Sequence, residues 1–401
     1  MRILQVNCVY KKGSTGKIVY DIHQELLKQH IDSVVCYGRG EVVGEPNVYK
    51  TCGELYSKIN NIWSRINGLK YGGLYFSTLK LEHIIENIKP DIVHLHCING
   101  YFVNIYKIIR YLKYNNIKTV VSLHAEFMHT ANCGHALKCE KWQTGCGHCP
   151  VLKLATKSFF IDGTARSWEL MKQAFDGFNE NLIVTSVSSW LMERAKLSPI
   201  LAGKKHVVVM NGIDTNIFHA QNYSKLRRKY GFLENEKIVF HATPSFTNIP
   251  TDIKGGRYLI ELATKMPDIT FIVAGPHNEI KVSGNIILLG NIDNQNVLSE
   301  FYALSDVTIL TSEKETFSMV CAESLSCGTP VVGFMAGGPE SIALPEYSEW
   351  VEYGNIYALK DAINTMFNMK IDKKDIALKA HSLYDRTVMT NNYISVFREL
   401  L

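Results

Sequence analysis

The chain has 401 residues, 46% of them hydrophobic and 20% charged, which is the composition of a folded soluble protein and too long for one ordinary core. No apolar run approaches the ~20 residues that a bilayer-spanning helix needs. The net charge of +5 is unevenly spread: 26 Lys and Arg face 16 Asp and Glu in residues 1–210, and 17 face 22 in residues 211–401, giving +10 and −5.

Residues 2–7 read as a buried strand. Lys11-Lys12-Gly13 follow where a signal peptide would have its cleavage site, so the expectation is a cytoplasmic chain with reduced thiols. Gly13-Ser-Thr-Gly16-Lys17 reads as a turn, with a periodic helix over 18–29. Strand, glycine-rich turn and helix open a doubly wound α/β domain. Further strands are predicted at 33–37, 91–96, 119–124, 182–187 and 206–210, with helical patterns between several of them. The pattern restarts after Asn211-Gly-Ile-Asp214, with strands at 237–242, 270–274, 286–289, 306–310 and 330–334 and helices at 257–265 and 297–303. The expectation is two Rossmann-like domains, 1–208 and 209–385, and a last helix that crosses back onto the first. Ligands of such sheets bind beyond the carboxyl ends of the strands, which places the expected active site in a cleft between the domains.

The densest chemistry lies in Glu315-Thr-Phe-Ser-Met-Val-Cys-Ala-Glu323, continuing through Gly328-Thr-Pro330-Val-Val and Gly337-Gly338-Pro-Glu340. Glu315 follows the strand at 306–310. Glu323 lies inside a helix predicted over 317–327, at ~1.5 Å of rise per residue. Two carboxylates at one helix mouth suit a ligand with two hydroxyl-bearing rings, and the helix N–H groups and dipole favour its phosphate. His96 and His124 each end a strand, where an imidazole can reach a ligand. Gly13 and Gly16 can wrap phosphate with backbone N–H donors. The spacing is not that of a Walker A loop, and Ile18 stands where a magnesium-binding hydroxyl would be. No Asp-x-Asp occurs to hold a nucleotide-bound metal.

This string resembles the signature of the retaining family 4 glycosyltransferases, and the likeness extends over nearly the whole chain. The resemblance implies a GT-B architecture, with two Rossmann-like domains facing a cleft. It implies that Glu315 contacts the transferred sugar and Glu323 the nucleotide ribose, with Phe317, Ser318 and Met319 at the donor. His124 is placed beside the reacting sugar, Lys254 on the donor diphosphate, and Gly275 in the base pocket. The family usually carries an Arg some residues before the Lys-Gly pair. Here that stretch reads His241-Ala-Thr243-Pro-Ser245, so half of the cationic clamp is missing. The implied function is transfer of a hexose from a nucleotide sugar such as a UDP-sugar to a glycan or undecaprenyl-linked acceptor. The expected setting is surface polysaccharide synthesis of the lipopolysaccharide or O-antigen kind, with no cofactor for catalysis. The rivals are a GT-B-like epimerase or hydrolase, and a non-catalytic binding protein.

Two signals stand apart. Cys133, Cys139, Cys146 and Cys149 cluster in one loop, and the closing Cys-x2-Cys suits tetrahedral zinc, with His129, His135 and His148 as substitutes for one thiolate. A disulfide pair and four unrelated thiols are the alternatives. Some similar polysaccharide-assembly enzymes share a Cys-rich loop with the Glu140-Lys141-Trp142 pattern. Residues 55–81 and 92–125 contain no acid and interleave Lys and Arg with aromatics. That composition suits an anionic membrane interface, or an ordinary helix face with buried aromatics. Nucleic acid is not expected.

Overall fold

Most of the strands are apolar on both faces, as parallel strands packed between helices must be. In the computed structural model, which describes residues 1–401 apart from the side chain of Leu154, the chain divides into two compact units. One comprises Met1–Met210 with Met389–Leu401, the other Asn211–Val388.

The first unit is built on strands β1 (Arg2–Asn7), β2 (Asp32–Tyr37), β3 (Val48–Lys50), β4 (Ile92–Leu95), β5 (Thr119–Leu123), β6 (Leu182–Ser186) and β7 (Lys205–Val208). They form one sheet in the order β3-β2-β1-β4-β5-β6-β7, every pair parallel. The second holds β8 (Ile238–Ala242), β9 (Thr270–Ala274), β10 (Ile286–Gly290), β11 (Val307–Leu310), β12 (Val331–Phe334) and β13 (Ser348–Val351), in the order β10-β9-β8-β11-β12-β13, again all parallel. Its core gathers Val239, Phe271, Ile309 and Val332 from the strands with Leu259, Leu262 and Ile363 from the helices.

Both sheets reverse their strand order once, at β1/β4 and at β8/β11. Chain leaving the two central strands departs to opposite sides, which opens a crevice beyond their carboxyl ends. Gly13 follows β1 and His96 follows β4. In the second sheet Thr243 follows β8 and Glu315 follows β11.

The first helix spans Gly13–Lys28, not 18–29. The glycine-rich segment is therefore its first turn, and the N–H groups of Lys12, Gly13, Ser14 and Thr15 lack intrahelical partners. A Cβ at Gly16 would stand 3.0 Å from the Val9 side chain and 3.3 Å from its carbonyl oxygen, a tight fit that favours glycine. The helix expected over 317–327 is shorter, Met319–Ser326, so Glu315 lies on the loop before it.

The final helix, Arg386–Leu400, buries Met389, Tyr393 and Phe397. Tyr393 joins Ser122 of β5 through its hydroxyl at 3.0 Å, and its ring sits 4.7 Å from that of His94. Phe397→Ala should lower stability by about 3–5 kcal/mol, as removal of a fully buried ring does. Denaturant unfolding monitored on the first unit checks this; a loss under about 1 kcal/mol would mean that the helix is not part of that core.

Candidate functional site

In the second unit, the loops after β8, β9, β11 and β12 carry the expected donor residues. Lys254 lies in the segment before the helix Gly256–Lys265. Asp252 shapes that segment by accepting from Lys254 N at 2.9 Å and Thr247 Oγ1 at 2.6 Å. Thr311, just past β11, donates to the Lys254 carbonyl at 2.8 Å. Gly255, at φ 70°, lies so close to Thr311 that a Cβ would stand 2.2 Å from its carbonyl oxygen. With its backbone fixed in this way, Lys254 Nζ reaches Glu315 Oε1 at 2.5 Å. Both side chains keep about a fifth to a quarter of their surface open, so the pair is accessible to a ligand.

Glu315 is positioned by the Gly-Gly turn after β12. Its N–H donates to Ala336 O at 3.1 Å, and its carbonyl accepts from Gly338 N at 2.9 Å. A Cβ on Gly338 would stand 2.3–2.6 Å from backbone atoms of Thr316 and Phe317, so only glycine fits. Glu340 closes the turn by accepting from Gly337 N at 2.7 Å. Ser318 then caps the helix Met319–Ser326 from a φ of 83°, which is strained for a residue with a Cβ, and its Oγ accepts from Cys321 N at 3.3 Å. Glu323, in the second turn, accepts from the Tyr302 hydroxyl at 3.0 Å. Tyr302 was not foreseen, because no pattern in the sequence ties it to Glu323 across 21 positions. Phe317 is 3% exposed and packs on Tyr384, so its ring is core and only its backbone can face a ligand.

Gly275, after β9, presses on the segment lacking the expected arginine: a Cβ would meet Thr243 O at 2.2 Å. His241 is buried against the Ile309 carbonyl, and burial holds it neutral, near pKa 4. Arg257 lies over the Tyr258 ring at 4.5 Å and donates to its hydroxyl at 2.8 Å. Its guanidinium is thus committed to a tyrosine, and Lys254 is the cation at Glu315. A surface depression of about 1110 Å³ around Arg227, Arg228, Lys237 and Asp306 adjoins the amino ends of β8 and β11, the opposite edge of the sheet.

In the first unit His124 follows β5 and is 8% exposed. Its Nε2 lies 3.1 Å from His96 Nδ1, and His96 Nε2 lies 3.2 Å from Gln5 Oε1. Two imidazolium N–H groups cannot face each other, so His96 and His124 are not charged together. Burial holds His94 and His96 well below their ordinary pKa and His124 at about 4. A second unforeseen element follows at once. Buried Glu126 accepts from Arg194 at 2.6 Å and from Ala136 N at 2.6 Å. Burial pushes this carboxyl up, but the His129 and Arg194 contacts outweigh it and hold it near pKa 2.

The two acid-free stretches differ. The helix Ile105–Tyr114 buries Ile105, Tyr106, Ile108, Ile109 and Leu112, an ordinary amphipathic face. The helix Glu54–Asn67 is inverted: it buries Ser57, Asn60 and Ser64 and exposes Leu55, Ile59, Ile62, Trp63 and Ile66.

Residues 225–382 match the family model described as glycosyl transferases group 1. This segment is the part of the chain similar to the group 1 glycosyl transferases. It contains Lys254, Gly275, Glu315 and Glu323, so each contact described above in the second unit lies within or beside it. Among curated relatives, the chain is 26% identical over 242 residues to the N-acetyl-alpha-D-glucosaminyl L-malate synthase of Bacillus anthracis, covering 56% of this chain and 61% of that one. It is 24% identical over 348 residues to WcaC of Escherichia coli (strain K12), named for colanic acid biosynthesis glycosyl transfer, covering 83% and 82%. The matched stretch is thus about three fifths of the first relative's length and about four fifths of the second's. Among solved structures, Alr3699/HepE of Anabaena in complex with UDP superposes with a TM-score of 0.65 over the whole of both chains at 16% identity. The fold is that of the GT-B glycosyltransferases, with two parallel-sheet Rossmann-like domains.

Two outcomes follow from this geometry. Gly338→Ala should destabilise the second unit by more than about 1 kcal/mol, because backbone and not a flexible side chain lies in the way; an unchanged melting temperature would contradict the packing. The unfolded chain binds histidine protons near pH 6.5, whereas buried His124 does not until about 4. Between those values the unfolded state holds more protons, so stability is full above pH 6.5 and falls as pH drops toward 4. Melting temperature against pH should show that slope, to which His94, His96 and His241 also contribute, and His124→Gln should reduce it; an equal slope in the variant would show that His124 contributes nothing to it.

Proposed function

We propose that this chain is a retaining glycosyltransferase that moves a hexosyl group from a nucleoside-diphosphate sugar to a glycan acceptor. The observation that carries the reading is the Lys254–Glu315 pair, held at 2.5 Å beside the N-terminus of the helix Met319–Ser326. Lys254 and the N–H groups of Phe317, Ser318 and Met319 neutralise the donor diphosphate. Glu315 holds hydroxyls of the transferred sugar. Glu323, oriented by Tyr302, takes the ribose. Gly275 lines the base pocket.

The reaction breaks the bond between the sugar anomeric carbon and the diphosphate oxygen. It forms one from the same face to an acceptor oxygen, and the leaving phosphate takes the acceptor's proton. Lysine and helix dipole supply the positive charge, so catalysis is metal-independent. His124, with Gly13 and Gly16, belongs to the acceptor-bearing unit. As a neutral imidazole anchored through His96, His124 positions a hydroxyl or phosphate oxygen by hydrogen bonding and does not act as an acid. The complexes of the HepE neighbour with UDP and UDP-glucose favour a UDP-sugar donor.

The acceptor in this proposal is a lipid-linked glycan at an anionic membrane surface. The support is the inverted helix Glu54–Asn67, whose exposed apolar stripe lies in the acid-free stretch with Lys58, Arg65 and Lys80, near an exposed Phe76. The similarity to WcaC favours surface polysaccharide synthesis.

Glu323→Ala should weaken UDP binding, while Glu315→Gln should cut transfer at least about tenfold with little change in affinity for UDP. Thermal stabilisation and transfer of labelled sugar read the two effects. Full transfer in both variants would overturn the site. Nucleotide release or an isomer without acceptor would favour a hydrolase or epimerase. Binding with no turnover would make the missing arginine at Thr243 decisive. Flotation with anionic liposomes should recover the wild type at low salt and lose Ile62→Glu/Trp63→Glu; equal recovery of both would remove the membrane surface from the proposal.

A further inference from the structure

The loop after β5 departs from ordinary packing. Between the short helices Phe127–Thr130 and Leu152–Ala155 the only regular element among the described residues is the three-residue turn Lys141–Gln143. Yet the backbone takes positive φ at Ala131, Leu137, Gly145, Gly147 and His148. Left-handed conformations at residues with a Cβ are strained and persist where surroundings over-determine them. Buried apolar side chains are sparse here, with Ala131, Ala136 and Trp142 in the loop itself. Some further constraint is called for.

All four cysteines of the loop line one small cavity of about 20 Å³, with Thr130 and Trp142 on its wall. A single water needs roughly 10–15 Å³, so there is space for one atom-sized guest. The four thiols are unpaired and half-buried, as are Cys8 and Cys97, whereas Cys36, Cys52, Cys321 and Cys327 are buried. In Cys146-Gly-His-Cys149 both intervening residues have positive φ, 129° and 45°, which curls the backbone. Lys141 Nζ clasps that curl through the carbonyls of Gly147, at 3.1 Å, and His148, at 2.8 Å. Lys70 Nζ clasps the other side through Asn132 O at 2.8 Å and Ala155 O at 2.6 Å. Two ammonium groups thus adjoin a four-thiol pocket, and a tetrathiolate around a divalent cation carries a net charge of −2.

We infer that Cys133, Cys139, Cys146 and Cys149 hold one structural zinc ion. Among the described residues no group of three or more His, Cys, Asp or Glu side chains stands as a ready-made metal shell. The sulfurs therefore turn into their shared cavity on binding, to about 2.3 Å from the metal. Each thiol loses its proton to solvent as its Zn–S bond forms, four of each in all. Every position is then filled by protein, so the ion braces the loop and does no chemistry. It ties residues 131–151 to Glu126, two residues after His124. The inference is independent of the transferase reading.

The test is metal analysis of the full chain purified without chelator under reducing conditions. About one zinc per chain is expected, retained in Cys8→Ser and lost in Cys149→Ser. A mercurial that blocks thiols should release it, and removal should speed proteolysis within residues 131–162 while melting of the second unit stays unchanged. Less than about half an equivalent in the folded wild type would overturn the inference, whether the cysteines then alkylate freely or appear as disulfides in the intact mass.

Discussion

Glu315 can meet Lys254 because Gly338 lets the turn after β12 lie against the backbone of Thr316 and Phe317. The rest of the candidate site depends on that close approach. It sets the Glu315 carbonyl on Gly338 N and brings Ser318 to its strained φ, so that the helix Met319–Ser326 begins beside the ion pair. A Cβ would push the loop away from the turn and separate the carboxylate from the lysine. Glycine at 255 makes the matching approach from the other side, against Thr311. Two positions without side chains therefore place two charged ones.

The units divide the electrostatics. The second presents fixed charge: an ion pair, a helix N-terminus, and a carboxylate held by Tyr302. The first presents neutral imidazoles. His94, His96 and His124 are all driven to their uncharged forms by burial and joined to Ser122, Gln5 and Tyr393 in one polar network. A neutral network costs little desolvation and keeps its rings oriented.

Much of this was legible in the sequence because parallel strands covered on both faces write themselves as short apolar runs. Strands such as Arg2–Asn7 and Thr270–Ala274 could be read to the residue. Two of the four edge strands could not. Val48–Lys50 has three residues, and Ser348–Val351 is half-buried throughout, so neither shows a clear period. The Glu315–Glu340 string disclosed the site because its glycines and carboxylates are each required by geometry. Its supports were hidden: Tyr302 acts across the fold, and the cap at Ser318 depends on backbone strain. Gly13-Ser-Thr-Gly16 differs from the expected turn because two glycines argue against helix, whereas here Gly16 packs closely on Val9. The acid-free stretches looked alike in composition. Only the fold shows that one buries its apolar stripe and the other exposes it.

The central claim is that a nucleoside-diphosphate sugar binds at the carboxyl edge of the second sheet. A crystal structure of the chain with UDP-glucose tests it most directly. The account predicts the diphosphate against Lys254 and the amide groups of residues 317–319, with ribose hydroxyls on Glu323 and the sugar at Glu315. Nucleotide found instead in the depression around Arg227 and Arg228, at the opposite edge of the same sheet, would contradict it.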